Sequence, residues 1–282
     1  MPPLRLRLAA LCACVVAVVS CDAAAPRDDA KGVRLVSLSP SVTAIVLALG
    51  AQESLVGVDS SSAEREPRVA HLPTVGGLFN PSLEAIVSLE PDIVALVPSA
   101  QQRDLETRLG EFGIEVLALR NVTTMEVLAS IGVLGAQLDR QSEAQARVMA
   151  IREAWADGNL SPREDPPSAV IVLQRDPLYV VGSGSYLDAM LVAAGAHNLG
   201  AEFEEAYPRV SVEWLIEAGP ALILDAADPP DEAEAHWQRW PSLPAVVASR
   251  VHVLEQQITV PGPFLDESLA LLRAHVAAGA TP

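Results

Sequence analysis

The sequence predicts an α/β fold: two Rossmann-like lobes with mostly parallel sheets, joined by one long connecting helix. Three observations predict it. First, residues 82–97 (SLEAIVSLEPDIVALV) and 211–224 (SVEWLIEAGPALIL) each run through a Ser, a Glu two residues on, an apolar helix, a Pro and an apolar strand. Glu84 and Glu213 are 129 residues apart, and so are Pro91 and Pro220. Second, LVSLSPSVTAIVLALGA (35–51) matches YVVGSGSYLDAMLVAAGA (179–196): strand, small-residue turn, helix, Gly-Ala stop. Third, residues 124–157 lie between the two units, lack Pro, and carry apolar residues at helical spacing. Two related α/β units imply two lobes, and two lobes imply a ligand cleft between them.

In chain order, the first segment reads as an export signal. Arg5 and Arg7 make a short positive region, and Leu8–Val19 is apolar or small, too short to span a bilayer comfortably. It ends in Val18-Val19-Ser20-Cys21. That tetrapeptide resembles the lipobox of bacterial lipoproteins, whose Cys is lipidated and becomes the mature N-terminus. The resemblance implies a lipid anchor on Cys21 and a place at the periplasmic face of the inner membrane or elsewhere in the cell envelope, and in enteric lipoproteins an Asp such as Asp22 favours inner-membrane retention. The other cysteines, Cys12 and Cys14, lie inside the signal, so no disulfide or thiolate metal site is available after residue 21. Residues 1–20 are therefore the signal peptide, and 21–32, rich in Ala and Asp, a tether.

Residues 33–122 form the N-terminal lobe. Val33–Ser37 is a strand, Ser41–Leu49 a helix stopped by Gly50, and Leu55–Val58 a second strand. Residues 59–80 are polar and loop-like. Asn80-Pro81-Ser82 opens the next helix, where Asn or Ser can cap and Pro suits a first turn. Ile93–Val97, Leu105–Phe112 and Ile114–Leu119 continue the alternation as strand, helix and strand, which predicts a parallel sheet. Residues 123–158 are the connecting helix, about 50 Å long at ~1.5 Å per residue. Residues 159–282 form the C-terminal lobe, starting from the strand at Ala169–Leu173 and closing on a helix near Leu265–Ala277.

Charge excludes some functions. The chain carries a formal net charge of −17, which repels nucleic acid and anionic lipid headgroups, so no nucleic-acid partner is expected. Enzyme motifs are missing. Gly182-Ser183-Gly184 lacks the third Gly of a dinucleotide fingerprint, and there is no GxSxG, GxxxxGK[ST] or HExxH. The five histidines show no metal-ligand spacing. No enzymatic activity, cofactor or metal is expected; the alternative from another class is an exported enzyme or metal-cluster protein on the same two-lobed scaffold, which would need a titratable cluster in the cleft.

The segments RLVSLSPSVTAIVLALGA (34–51), VGVDS (56–60), VGGLFNPSLEAIVSLEPDIVAL (75–96), LGEFGIEVLAL (109–119), GSGSYLDAMLVAAGAHNL (182–199), YPRVSVEWLIEAGPALIL (207–224) and WPSLPAVVASRVHVL (240–254) together resemble the bacterial substrate-binding proteins that include the vitamin B12, haem and ferric-siderophore binders. Among these the chain looks most like the cobalamin-binding proteins. The resemblance implies a monomer that captures cobalamin or a related corrinoid, with haem or a ferric siderophore as the alternative cargo, and delivers it to an ABC permease and its ATPase. It also implies a stiff hinge with small lobe closure, and docking onto Arg pockets of the permease by Glu84 and Glu213. Taken alone, a Glu in a first helical turn gains about 0.3–1 kcal/mol from the helix dipole. That covers one Glu better than a matched pair.

The cleft is expected at the turns after the strands and at first helical turns. That nominates Ser39, Pro40 and Ser41, then Gly77, Leu78 and Phe79. The second lobe nominates Leu178, Tyr179, Ser183, Ser185, Tyr186, Tyr207, Pro208 and Arg209, and the C-terminal turn Pro261, Gly262 and Phe264. Flat aromatic rings pack on the faces of a macrocycle and hydroxyls bond its amide edges. Arg209 can hold a ligand carboxylate or phosphate, or pair with Glu204 or Glu205 at the surface. A haem cargo would take a ligand from Tyr179, Tyr186 or Tyr207. Two departures from the family bear on the cargo: residues 59–66 (DSSSAERE) lack the Tyr-Pro-type segment, and Phe264 stands where an Arg is common.

Overall fold

The computed structural model describes residues 32–99, 103–157 and 165–279. Cys21 and nearly all of the signal and tether readings lie outside the described residues.

Strand β1 (Leu35–Ser37) runs into helix α1 (Pro40–Ala48). The Ser39 hydroxyl caps that helix, accepting from the Ser41 amide, and Pro40 sits where its missing N–H costs nothing. β2 (Leu55–Val58) is followed by α2 (Ser60–Arg65), capped by the Asp59 carboxylate. The segment read as loop thus contains a helix, and also a small antiparallel pair, β3 (Gly76–Gly77) and β4 (Asn80–Pro81). Its polar look misleads because the capping Asp59 and Ser62 are themselves buried. α3 (Leu83–Ser88), β5 (Ile93–Leu96), α4 (Arg103–Glu111) and β6 (Glu115–Ala118) complete an all-parallel sheet of order β2-β1-β5-β6. Both faces of its central strands are covered. Leu35, Ile93 and Ala95 enter one core cluster, while Val36, Val94 and Leu96 enter another.

The connection is two helices where one was expected. α5 (Thr124–Gln137) opens on a capping box between Thr123 and Glu126. It ends where Asp139 turns left-handed (φ 54°) and the Arg140 amide bonds back to the Gly135 carbonyl at 2.8 Å. This is a Schellman-type stop, with Asp in the place usually held by Gly. α6 (Gln141–Asp157) follows at once. A Cβ on Gly135 would lie 2.4 Å from the Ala144 Cβ, so the two helices pack there at a distance only Gly permits.

In the second lobe β7 (Ser168–Arg175) pairs antiparallel with β8 (Leu178–Val180) and, at its start, parallel with β9 (His197–Asn198). α7 (Tyr186–Ala193) lies between β8 and β9. α8 (Val212–Ala218), β10 (Leu222–Asp225), α9 (Ala233–Trp237), α10 (Pro244–Val247), β11 (Val251–Val253) and α11 (Leu265–Gly279) follow, giving the order β11-β10-β7-β8. One apolar cluster runs through both lobes and the connection: Leu35 and Val46, then Ile131 and Leu134 of α5, Ile151 of α6, and Ile171, Leu224 and Leu269. The Tyr186 amide also donates to the Val122 carbonyl at 2.7 Å. The two sheets are therefore backed by one shared core on the connector side.

Candidate functional site

Parallel strands end on one edge, and the turns leaving that edge are where α/β folds bind ligands. In the first lobe β1 and β2 end at Ser37 and Val58, which places the starts of α1 and α2 at this edge. In the second lobe β10 and β11 end at Asp225 and Val253, which places residues 226–229 and 254–264 there. A cavity of about 330 Å³ lies between the two sets. The first lobe gives it Pro40, Thr43, Ala44, Ser62, Arg65 and Glu66, and the second Gln256, Gln257, Val260, Gly262, Pro263 and Phe264. A second cavity, of about 600 Å³, shares Arg65 and Gln256 with the first. It adds Leu173, Gln174, Arg175, Asp176, Ala226, Ala227, Asp228, Glu232, His236 and Thr259.

The two cavities differ in chemistry. The first is faced mostly by Pro, Val, Ala and Phe carbon, with the Gln256 and Gln257 amides, two hydroxyls and the charged Arg65 and Glu66 in its lining, a surface for an apolar face bearing hydrogen-bonding substituents. The second is charged. Arg175 is spent: its Nε donates to the buried Asp225 carboxylate at 2.9 Å, Nη1 to the Pro229 carbonyl at 2.8 Å and Nη2 to the Ala227 carbonyl at 3.0 Å. Burial, then the positive charge of Arg239, pushes His236 down, which favours its neutral form. Arg65 faces Asp228 across the lobes at 3.8 Å.

A buried polar chain holds the first lobe's turns. Asn121 donates to the Ser41 hydroxyl at 3.1 Å, and Ser41 and Ser39 share a bond at 3.1 Å. Thr43 donates to Ser37 at 2.8 Å and meets Ser62 at 3.0 Å, and Ser62 donates to Asp59. Buried hydroxyls left without partners would be costly, so the chain fixes α1 and α2 relative to each other.

Of the residues nominated from sequence, the structure brings Pro40, Gly262 and Phe264 together in the first cavity. Ser39 and Ser41 lie behind it, buried and bonded as described. Gly77, Leu78 and Phe79 form the β3–β4 hairpin, with Phe79 68% exposed. Tyr179 bridges Arg209 in an added antiparallel stretch, where the Val180 amide bonds Pro208 and the Val210 amide bonds Leu178. Ser185 caps α7, and the Ser183 amide bonds the Phe203 carbonyl. Tyr186 is in the core, its hydroxyl 3.4 Å from the Ile258 carbonyl. Burial raises the Tyr186 hydroxyl well above its ordinary range and pushes Tyr207 up to about 12, so both stay neutral. None of these second-lobe residues lines either cavity. Sequence reasoning missed Arg65, Gln256, Gln257 and Asp228. The first two sit 191 positions apart, and no local pattern joins them.

Glu84 and Glu213 are exposed in the first turns of α3 and α8. Among the described residues no group of His, Cys, Asp and Glu is placed to hold a metal, and no helix is long and apolar enough to cross a membrane.

Residues 35–257 match the family model described as periplasmic binding protein. The chain belongs to this family. It is 30% identical over 209 residues to a cobalamin-binding protein of Halobacterium salinarum, covering 70% of this chain but 54% of the relative, so it spans about half that protein's length. It is 25% identical to the uncharacterized ABC transporter substrate-binding lipoprotein YvrC of Bacillus subtilis, covering 86% of this chain and 79% of the relative. Two solved structures share the fold. The periplasmic heme-binding protein RhuT of Roseiflexus sp. RS-1 is 24% identical with a TM-score of 0.78, over 89% of this chain and all of that one. The vitamin B12-binding protein BtuF of Vibrio cholerae is 20% identical with a TM-score of 0.76, over 89% of this chain and 99% of that one.

Proposed function

We propose that this periplasmic binding protein captures cobalamin or a related corrinoid between its lobes and delivers it to an ABC importer, without covalent chemistry. The observation that carries the reading is the pair of adjoining cavities at the strand ends of both sheets, one apolar with amide edges, the other polar. A corrinoid has both characters: apolar ring faces and a rim of amides. The cobalamin-binding relative supports the cargo, and the substrate-binding lipoprotein relative supports delivery. Export and lipid anchoring through Cys21 belong to the same reading and rest on the sequence of residues 1–21.

Gel filtration of the protein with cyanocobalamin, hemin or a ferric siderophore tests the cargo. Retention of cyanocobalamin absorbance at one per chain is the expected result. Retention of hemin or siderophore instead would keep the transport class and replace the cargo. Retention of none would overturn the cargo assignment.

A further inference from the structure

Arg65 and Gln256 line both cavities and so stand where the two meet. Arg65 comes from the last turn of α2 and reaches Asp228, on the loop after β10, at 3.8 Å. Each end of this contact is firmly mounted. The Asp228 loop is held from within by Arg175, whose guanidinium bonds the Ala227 and Pro229 carbonyls on either side of Asp228. The start of α2 is held by Asp59, which bonds Ser62, and Ser62 meets Thr43 of α1 at 3.0 Å. The contact itself is open to water, with the two side chains 48% and 69% exposed. It is thus a weak, screened link between two stiff supports.

Space gives the link a consequence. Pockets for drug-sized ligands take roughly 300–1,000 Å³. The first cavity, at about 330 Å³, is at the bottom of that range. A macrocyclic cargo, larger than a drug-sized ligand, would draw on both cavities as one volume, and Arg65 stands where they join.

We propose that the Arg65–Asp228 ion pair is a displaceable latch across the cleft: paired, it divides the cavity and holds the lobes together in the empty protein; broken, it joins the two volumes and widens the mouth. An exposed pair is a weak restraint, so the latch shifts the open population by no more than about fivefold. That suits a gate, which has to yield to each arriving ligand.

The test has two arms. In the first, spin labels at exposed Ser88 and Gln238, one on each lobe, report the interlobe distance in the full chain with Cys12, Cys14 and Cys21 replaced by Ser. Asp228→Asn, Arg65→Gln and high salt should each move population to longer distances, and the charge-swapped double variant Arg65→Asp with Asp228→Arg should restore the original distribution. Identical distributions in the unaltered pair, the single variants and high salt would overturn the latch. The second arm rests on the cleft being the cargo site: Asp228→Asn should bind cyanocobalamin about two- to fivefold faster, and an unchanged association rate would count against the latch. If no cargo binds, the cargo reading fails alone, and the distance arm still decides the latch.

Discussion

The hydroxyls of Ser82 and Ser211 make the same hydrogen bond in the two lobes. Ser82 accepts from the Ala85 amide at 3.2 Å and Ser211 from the Trp214 amide at 3.1 Å, each three residues on. Each therefore caps the helix that carries an exposed first-turn glutamate, Glu84 in one lobe and Glu213 in the other. The repeat in the sequence is a repeat in structure down to the side-chain bond that starts the helix.

Ser82→Ala and Ser211→Ala should each destabilise the protein by about 1 kcal/mol. The two caps lie in different lobes and bond different amides, so their effects should add within about 0.5 kcal/mol. Urea midpoints of the singles and the double would show this.

Glu84→Ala combined with Glu213→Ala should leave cargo affinity unchanged, because neither side chain lines a cavity. If the two carboxylates dock in Arg pockets of a permease, as the family resemblance implies, removing them costs about 2 kcal/mol or more and binding to the permease should weaken at least tenfold. Cargo titration and permease capture in membranes separate the two effects. A loss of cargo affinity would sink the docking assignment.

Asp225→Asn leaves the buried Arg175 guanidinium without its counter-charge. Arg175 and Asp225 have side chains 7% and 0% exposed. Breaking such a pair costs about 3–5 kcal/mol, whereas replacing both partners with apolar residues costs much less. Denaturation of Asp225→Asn against the double variant Arg175→Met with Asp225→Leu should show that order.

Stability should fall as the medium is acidified through the histidine range. His252 is pushed below its ordinary value of 6.5 by burial and then by the neighbouring His275. Its Nδ1 is buried without a partner, and the two rings lie 5.6 Å apart. With the folded value below the unfolded one, the unfolded chain takes up the proton first. The contribution is thus complete above about 6.5 and is lost as pH falls through 6.5 toward the folded value. Glu255, lowered chiefly by its bond to His275, loses its contribution further down, in the carboxylate range. Melting temperatures across pH 5 to 8 should show the decline, and His252→Asn should flatten it. His236 is shifted the same way, so some slope should remain.

Much of the fold was legible because its signals are local. Ser82 and Ser211 announce helix starts by cap chemistry, whereas the Asp59 cap of α2 sits in a segment whose polar run reads as loop. Runs such as Ile93–Leu96 and Leu222–Asp225 announce strands buried on both faces. The break between α5 and α6 was not legible. Its left-handed residue is Asp139, a type that tolerates αL without demanding it, and no Gly or Pro marks the turn. Gly135 was the available hint. A Gly inside a helix weakens it, and the approach of Gly135 to Ala144 shows why a side chain is excluded here. In the cleft, Pro40 and Phe264 were legible from their place after strands, but Arg65 and Gln256 were not.

By itself the sequence determined the two α/β units, their duplicated helix entries at Ser82 and Ser211, and the composition of each strand, because caps, periodicity and turn residues act over a few positions. The tertiary structure alone decided which turns face one another. Arg65 meets Asp228, and Phe264 joins Pro40 in one cavity, because α1, α2 and the loops after β10 and β11 leave the same edge of two sheets backed by a common core. Residues so far apart in the chain meet only when that core has formed.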